Sequence, residues 1–259
     1  MSAAAPGPGA PFPAGGSPRV AGSASPLPAG TVPVASPTPA GLSTKGLPSW
    51  LDPVDRAARS VAARGIDGLL RPPPAGGRPA AVLVLFGEGA GGPELLLMQR
   101  ASTLRDHPGQ CSFPGGGLDP EDGDPAGEGP VRAALREAWE ETGLDPTGVQ
   151  PFATLPNLFI PPSGFVVTPV LGWWREPSPV GPVDPGETAR VFTAPVHRLT
   201  DPAHRVTVVH PSGYRGSAFL VSDALVWGFT AGVIDLILRH AGWERPWDRT
   251  REIPLDPSA

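Results

Sequence analysis

The chain has 259 residues, a net charge of −5 and one cysteine, Cys111. This length suits one sizeable domain or two small ones, the acidic balance argues against nucleic-acid binding, and a lone cysteine excludes an internal disulfide framework and favours a cytoplasmic location. The longest apolar run, residues 226–238, is broken by Asp235 and is too short to span a bilayer, so we expect no membrane partner.

The first 47 residues differ in composition from the rest of the chain. They are rich in Pro, Gly and Ala, and Arg19 and Lys45 are their only charged side chains. Such a stretch cannot bury enough apolar surface to offset the entropy lost on ordering. We therefore expect a disordered tail over residues 1–47, one α/β domain over 48–245 and a C-terminal tail over 246–259.

The elements before residue 100 are a helix followed by two strands. Residues 50–64 have the Ala/Arg-rich pattern of a surface helix. Residues 80–86 form an aliphatic run typical of a buried strand, and residues 94–99 are its expected partner across a Gly-rich turn.

A helix is predicted between two breakers further along the chain. Pro130 suits the first turn, and Gly143 stands where a glycine commonly ends a helix. The face that we expect to pack on the sheet consists of Ala134, Leu135, Ala138, Trp139 and Thr142.

Three glutamates of this helix stand at positions i, i+3 and i+4: Glu137, Glu140 and Glu141. They share one helix face, where like charges about 4 Å apart repel by on the order of 4 kcal/mol per pair at an effective dielectric constant near 20. A divalent cation such as Mg²⁺ removes this conflict, because it prefers carboxylate oxygens and leaves room for phosphates. The alternative is an amphipathic surface helix whose glutamates simply face water.

The rest of the chain returns to short strands and ends in a helix. Such an alternation fits a mixed sheet between helices. The predicted elements are a hairpin of strands 152–160 and 165–174, shorter strands at 190–192, 205–209 and 217–221, and a closing helix over 225–240.

The glutamate helix resembles the signature of a known family. Glu128, seven intervening residues and then the run REAWEETGL from Arg136 to Leu144 resemble the motif of the Nudix hydrolases. Asp122 stands where that signature begins with a glycine, which indicates an insertion in the preceding loop. The resemblance implies a Nudix α/β/α sandwich with a mixed central sheet, and hydrolysis of a pyrophosphate with Mg²⁺ or Mn²⁺.

The resemblance also implies roles for individual residues. Arg136 would orient a glutamate through a charge-assisted pair, and Glu137 and Glu141 would be catalytic. The implied metal ligands are Glu137, Glu140, Glu141 and the backbone carbonyl of Gly116.

A carboxylate outside the helix is the expected general base. Glu187 lies in a loop before a predicted strand and is the candidate. The alternative is a solvated turn glutamate, because turns commonly carry acids.

Residues 96–116, LLMQRASTLRDHPGQCSFPGG, resemble a second motif, that of the coenzyme A pyrophosphatase branch of the family. Met98 departs from it, because the branch has a threonine there. Its two arginines, Arg100 and Arg105, could bind phosphates, because guanidinium groups recognise phosphates bidentately. The alternative is that Arg100 ends a strand and Arg105 forms a surface ion pair. The implied substrate-binding residues are Arg100, Arg105, Gly109, Phe113 and Gly115.

The motifs together predict a hydrolase that cleaves coenzyme A or acyl-coenzyme A to 3′,5′-ADP and 4′-phosphopantetheine or its acyl form. The alternatives are a broader nucleoside-diphosphate hydrolase acting on NADH or ADP-ribose, and a non-catalytic nucleotide sensor. The expected partner is a small-molecule substrate, and homodimerisation is left open.

Overall fold

The computed structural model describes residues 41–64, 76–104, 107–161 and 163–256. Helices in these ranges are α1 (Asp52–Arg64), α2 (Gly129–Thr142), α3 (Val196–Leu199) and α4 (Gly228–His240). The first six strands are β1 (Arg78–Gly89), β2 (Gly92–Arg100), β3 (Cys111–Ser112), β4 (Gly115–Gly117), β5 (Val149–Thr154) and β6 (Leu158–Ile160). The remaining strands are β7 (Phe165–Trp174), β8 (Thr188–Pro195), β9 (Arg205–Val209), β10 (Arg215–Val221), β11 (Ala224–Val226) and β12 (Glu252–Pro254).

The larger sheet has the strand order β3-β2-β1-β7-β5, with β4 paired to β1, β6 to β7 and β8 to β2. The β1–β7 pair is parallel and the other pairs are antiparallel. The mixed sheet predicted from the sequence is therefore confirmed.

Strand β1 shows why its sequence is a continuous apolar run. Leu83 and Leu85 belong to the core cluster that includes α2, whereas Val84 and Phe86 belong to the cluster that includes α1 and α4. Successive side chains of a strand point to opposite faces, so a strand covered on both sides must be apolar at every position. The α/β/α layering follows from this double burial and is confirmed.

A smaller sheet has the order β11-β10-β9-β12. Strand β12 runs parallel to β9, and Leu255 after it is buried. The structure thus differs from the C-terminal tail expected over residues 246–259. Three residues are too short for a periodic signal, and tertiary pairing with β9 makes them a strand.

The described part of the expected N-terminal tail also contacts the domain. The backbone N–H of Ser43 donates to the carbonyl of Pro151 at 3.0 Å, and the Gln150 amide donates to the Ser43 carbonyl at 2.7 Å. Residues 1–40 lie outside the described residues.

The closing helix begins later than the sequence predicts. Leu225 and Val226 belong to β11, where they pair with Leu220 and Phe219 of β10. Helix α4 starts only at Gly228. A short apolar run has the same pattern in a strand and in a helix, so only the neighbouring strand decides between them. Within the described residues, no helix has the length and apolar character needed to cross a bilayer.

One buried arginine joins the small sheet to α4 and the C-terminal segment. Arg205 of β9 is fully buried and forms ion pairs with Asp235 of α4 and with Glu244, the latter at 3.2 Å. Its guanidinium lies 4.9 Å from the ring of Phe219 and 4.5 Å from that of Trp247. This side chain therefore links three segments that are distant in sequence.

We expect Arg205→Met to destabilise the domain by on the order of 3–5 kcal/mol, because it leaves the buried Asp235 without its main charge partner. The matched control is Arg215→Met, which removes an ion pair with Glu252 between side chains that are about half exposed. Urea unfolding measures both variants. A similar, small change in both would contradict the structural role given to Arg205.

Candidate functional site

Helix α2 presents its glutamates because its other face is filled by small residues. Ala134 and Ala138 are fully buried against the sheet, and Gly143 ends the helix with a left-handed φ of 69°. The prediction that Trp139 packs on this face is wrong, because its side chain is 42% exposed. Position 139 lies about 100° around the helix from the buried Ala138, so its side chain points away from the buried stripe.

The glutamate face packs on the glycine strand β4. The backbone N–H of Gly115 donates to Oε2 of Glu141 at 2.9 Å. A Cβ on Gly116 would overlap the carboxylate of Glu137. The glycines thus allow backbone and carboxylates to approach one another without a side chain between them, as the sequence predicts.

Arg136 binds both neighbouring glutamates. Its Nη1 donates to Oε1 of Glu137 at 3.0 Å and to Oε2 of Glu140 at 3.1 Å, and its Nη2 donates to the carbonyl of Gly117 at 3.0 Å. The contact predicted between Arg136 and a glutamate is therefore present.

Asp122 completes this network, and the sequence analysis did not identify it as a site residue. It is buried, accepts from Nε and Nη2 of Arg136 at 3.2 and 2.9 Å, and also accepts from the backbone N–H of Asp119 at 2.8 Å. The hydrogen bonds from Arg136 to Asp122 are the main cause that raises the pKa of the guanidinium. The sequence offered one signal for this role, namely that Asp122 stands where the family signature has a glycine.

Two of the three glutamates have raised pKa values. Burial raises the pKa of Glu141 to about 7, against the opposing effect of the Gly115 N–H. Burial also raises the pKa of Glu137, and the Arg136 charge opposes this. Both carboxylates therefore lie where a further positive charge would stabilise their ionised forms.

The donor set fits a hard divalent cation, although the side chains do not converge on one point. Within the described ranges, no group of three or more His, Cys, Asp or Glu side chains is arranged to hold a metal ion. The reason is visible in the contacts: Glu137 and Glu140 bind Arg136, and Glu141 binds the Gly115 N–H. Partly buried carboxylates beside a carbonyl-rich glycine loop are nevertheless the oxygen ligands that such cations prefer. The Gly116 carbonyl stays a predicted ligand.

Arg100 and Glu187 are brought to this site from β2 and from the loop before β8. Ala101 donates its N–H to the carbonyl of Glu187 at 2.8 Å, so the two segments are adjacent. The charge of Arg100 lowers the pKa of Glu141 and that of Glu187 raises it, as secondary contributions. The structure therefore brings both residues together with the glutamate helix, and their chemical roles stay predictions.

The other predicted substrate-binding residues have different surroundings. Gly109, with φ of 69°, lies in the loop between β2 and β3, and its carbonyl accepts from the Gln99 amide at 3.0 Å. Phe113 is only 2% exposed and packs in the core cluster that includes α4, so a substrate contact by its ring is not supported. Arg105 lies outside the described residues.

Two clefts of about 600 Å³ lie away from the glutamate face. One is lined by β10–β11 residues together with Arg198 and His204. The other includes Glu128, which pairs with Arg132 at 3.8 Å at the start of α2. Glu128 thus faces a different surface from the three clustered glutamates.

The chain is similar to known proteins over the region that contains this site. The NUDIX domain model matches residues 77–206. The mitochondrial Nudix hydrolase 15 of Arabidopsis thaliana is 33% identical over 181 residues, which cover 64% of this chain and 59% of that protein. An uncharacterized Nudix hydrolase NudL of Cronobacter sakazakii is 36% identical over 157 residues, covering 60% of this chain and 78% of that protein. A solved NUDIX hydrolase from Alicyclobacillus acidocaldarius is 17% identical, with a TM-score of 0.42 and coverage of 62% of this chain and 91% of that chain.

The domain match extends over half of the chain and spans both the glycine loop and the glutamate helix. The relatives that share this region are named as Nudix hydrolases. The chain therefore belongs to the Nudix family of hydrolases, which confirms the family and the enzyme class predicted from its motifs.

Proposed function

We propose that this protein is a divalent-cation-dependent pyrophosphohydrolase that cleaves coenzyme A or acyl-coenzyme A to 3′,5′-ADP and 4′-phosphopantetheine or its acyl form. The observation that carries the proposal is the packing of the α2 glutamates on the Gly115–Gly117 strand. This arrangement sets the carboxylates against a backbone that has no side chain between it and them.

The residues of the site have different proposed roles, in holding the cation and in positioning its ligands. A bound Mg²⁺ or Mn²⁺ would neutralise charge on phosphoryl oxygens and lower the pKa of coordinated water. Glu137, Glu140 and Glu141 would hold it together with the Gly116 carbonyl. Arg136 fixes the positions of the first two glutamates.

Glu187 is the proposed general base for the attacking water. Its charge acts on Glu141, which supports a position near the reacting groups. The Glu187 side chain is exposed, which also fits a solvated turn glutamate, and its electrostatic effect on Glu141 is the observation that favours the general base.

Coenzyme A is the proposed substrate because its motif lies beside the glutamates. Residues 96–116 include the last five residues of β2, all of β3 and the first two residues of β4, and Arg100 acts electrostatically on Glu141. Coenzyme A carries a 3′-phosphate in addition to its pyrophosphate, and guanidinium groups suit both. Met98 in place of the motif's threonine keeps the second candidate open, a broader hydrolase of NADH or ADP-ribose. The intact glutamate set argues against the third, a non-catalytic sensor.

The cytoplasmic location stays a prediction based on the single cysteine. The Arabidopsis relative is named as mitochondrial.

We expect purified protein with Mg²⁺ or Mn²⁺ to release 3′,5′-ADP from coenzyme A faster than it cleaves NADH or ADP-ribose, because only coenzyme A carries the additional phosphate. Chromatography of parallel incubations resolves the products. Faster turnover of NADH than of coenzyme A would support the broader nucleoside-diphosphate hydrolase instead. Saturable binding without turnover on any substrate would support the sensor.

We expect Glu141→Gln to lower turnover by roughly 100-fold or more, a loss beyond the 10–100-fold that is typical when a partner behind a metal ligand is removed. The matched control is Glu176→Gln, since Glu176 is exposed and its carboxylate pairs, among the described residues, with its neighbour Arg175. Steady-state kinetics on the best substrate measures both. Full activity of Glu141→Gln would refute the metal-site assignment.

We expect the metal-free protein to lose stability as the pH rises from about 4.5 to about 7. Because the pKa of Glu141 is about 7 in the folded state and about 4.5 otherwise, its favourable protonated form is lost as the pH rises through that window. Mg²⁺ should restore the loss, and Glu141→Gln should flatten the profile. Thermal unfolding in EDTA and in Mg²⁺ measures this, and a difference of about 2–4 °C per kcal/mol is expected for a domain of this size. Identical pH profiles for wild type and variant would contradict the burial of this carboxyl.

A further inference from the structure

The pairing of β2 with β3 places three polar side chains on one face. Met98 is opposite Ser112, and the backbone N–H of Arg100 donates to the Gln110 carbonyl at 2.9 Å, which extends the ladder by two residues. Directly opposed residues of an antiparallel pair share a face, and so do residues two apart on one strand. Arg100, Gln110 and Ser112 therefore share a face, together with Met98.

This face is the one covered by α2. Leu96, two residues before Met98 and on the same face, belongs to the core cluster that includes α2. Leu97 and Cys111, on the opposite face, belong to the cluster that includes α4. The charge of Arg100 also lowers the pKa of Glu141. The three polar side chains therefore border the glutamate site.

Each of these side chains has a buried polar atom without a hydrogen-bond partner in the described part of the chain. The atoms are Nε of Arg100, Nε2 of Gln110 and Oγ of Ser112. By contrast, Gln99 on the opposite face donates its amide to the Gly109 carbonyl. Buried polar atoms are nearly always partnered, and unpartnered ones are costly to the fold. Three on one small face indicate a partner from outside the chain.

The chemistry of these atoms defines that partner. Guanidinium and amide nitrogens donate hydrogen bonds, and a hydroxyl can do so as well. Met98, buried on the same face, adds no donor. A cationic group with two neutral donors suits an anionic acceptor with several oxygens, which is a phosphoryl group.

We propose that Arg100, Gln110 and Ser112 form a phosphoryl-binding face that holds a phosphate of the substrate beside the glutamate site. This inference rests on the proposed function only in assuming a phosphorylated substrate, and it adds Gln110 and Ser112, two positions that the motif leaves unspecified, to Arg100, which the motif already implies. Coenzyme A offers two sources for such a group, its pyrophosphate and its 3′-phosphate.

The test uses Gln110→Met and Ser112→Ala, which remove the donors with little change in volume, and the two combined. Both atoms are unpartnered in the free protein, so we expect unfolding stability to stay equal or rise. The KM for coenzyme A should increase by roughly 5–10-fold for each single variant, with kcat nearly unchanged. There are two matched controls. Gln150→Met removes an amide that donates to the Ser43 carbonyl, and Cys111→Ala changes a side chain on the opposite face of β3.

Parallel assays with coenzyme A and with its analogue lacking the 3′-phosphate distinguish the two sources. A penalty confined to coenzyme A identifies the 3′-phosphate, and an equal penalty on both identifies the pyrophosphate; either result supports the proposal. Unchanged KM values in folded variants, or a loss of stability with no change in KM, overturn it.

Calorimetric binding of 3′,5′-ADP and of inorganic pyrophosphate separates this proposal from the proposed function. If the wild type does not hydrolyse coenzyme A but binds one of these ligands more tightly than Gln110→Met does, the substrate assignment fails and the phosphoryl-binding face stands. If wild type and variants bind both equally, or none binds either, the face is refuted whatever the activity.

Discussion

The crowding of carboxylates along α2 is the constraint on which the rest of the site depends. Glu137 and Glu140 lie on the same helix face, and Asp122 approaches it from the preceding loop. Arg136 meets all three with one planar fork of donors, which a lysine could not do because its ammonium is a compact point charge. Its fourth contact, the Gly117 carbonyl, fixes the helix to the glycine strand. The guanidinium thus keeps the acids together and oriented.

Glu141 is stabilised in a different way. It has no arginine within hydrogen-bond distance among the described residues and instead accepts from the Gly115 N–H. One neutral hydrogen bond does not offset its burial, so its pKa remains high. The helix therefore carries acids that Arg136 neutralises and one, Glu141, that it does not. Arg100 of the proposed phosphoryl-binding face acts electrostatically on Glu141.

The central sheet makes this arrangement possible because it is covered on both sides. The alternating faces of β1 and β2 pack on α2 in one direction and on α1 and α4 in the other. The strand ends and connecting loops then carry the polar groups. Arg100 is the last residue of β2, and Glu187 immediately precedes β8. Both reach the site because their strands are neighbours, although they are 87 residues apart in sequence.

The sequence correctly predicted those helices and strands that are determined by residues adjacent in the chain. Pro130 and Gly143 bound the glutamate helix, and the aliphatic run before Phe86 is the central strand, because helix caps and double burial leave a direct mark on sequence. Prediction failed where a neighbour decides the outcome. Leu225 pairs with β10 and is not in a helix, and Trp139 is exposed because its position on α2 points away from the buried stripe.

The sequence by itself determined the family, the helix with its three acids and the glycines that face them, since these depend on residue type at fixed spacing. Only the tertiary structure decided that Asp122 completes the Arg136 network, that Phe113 lies in the core, and that Gln110 and Ser112 share a face with Arg100. Those facts depend on loop conformation and strand register. Neither leaves a periodic pattern in the chain, because each is fixed by contacts between segments that are separate in sequence.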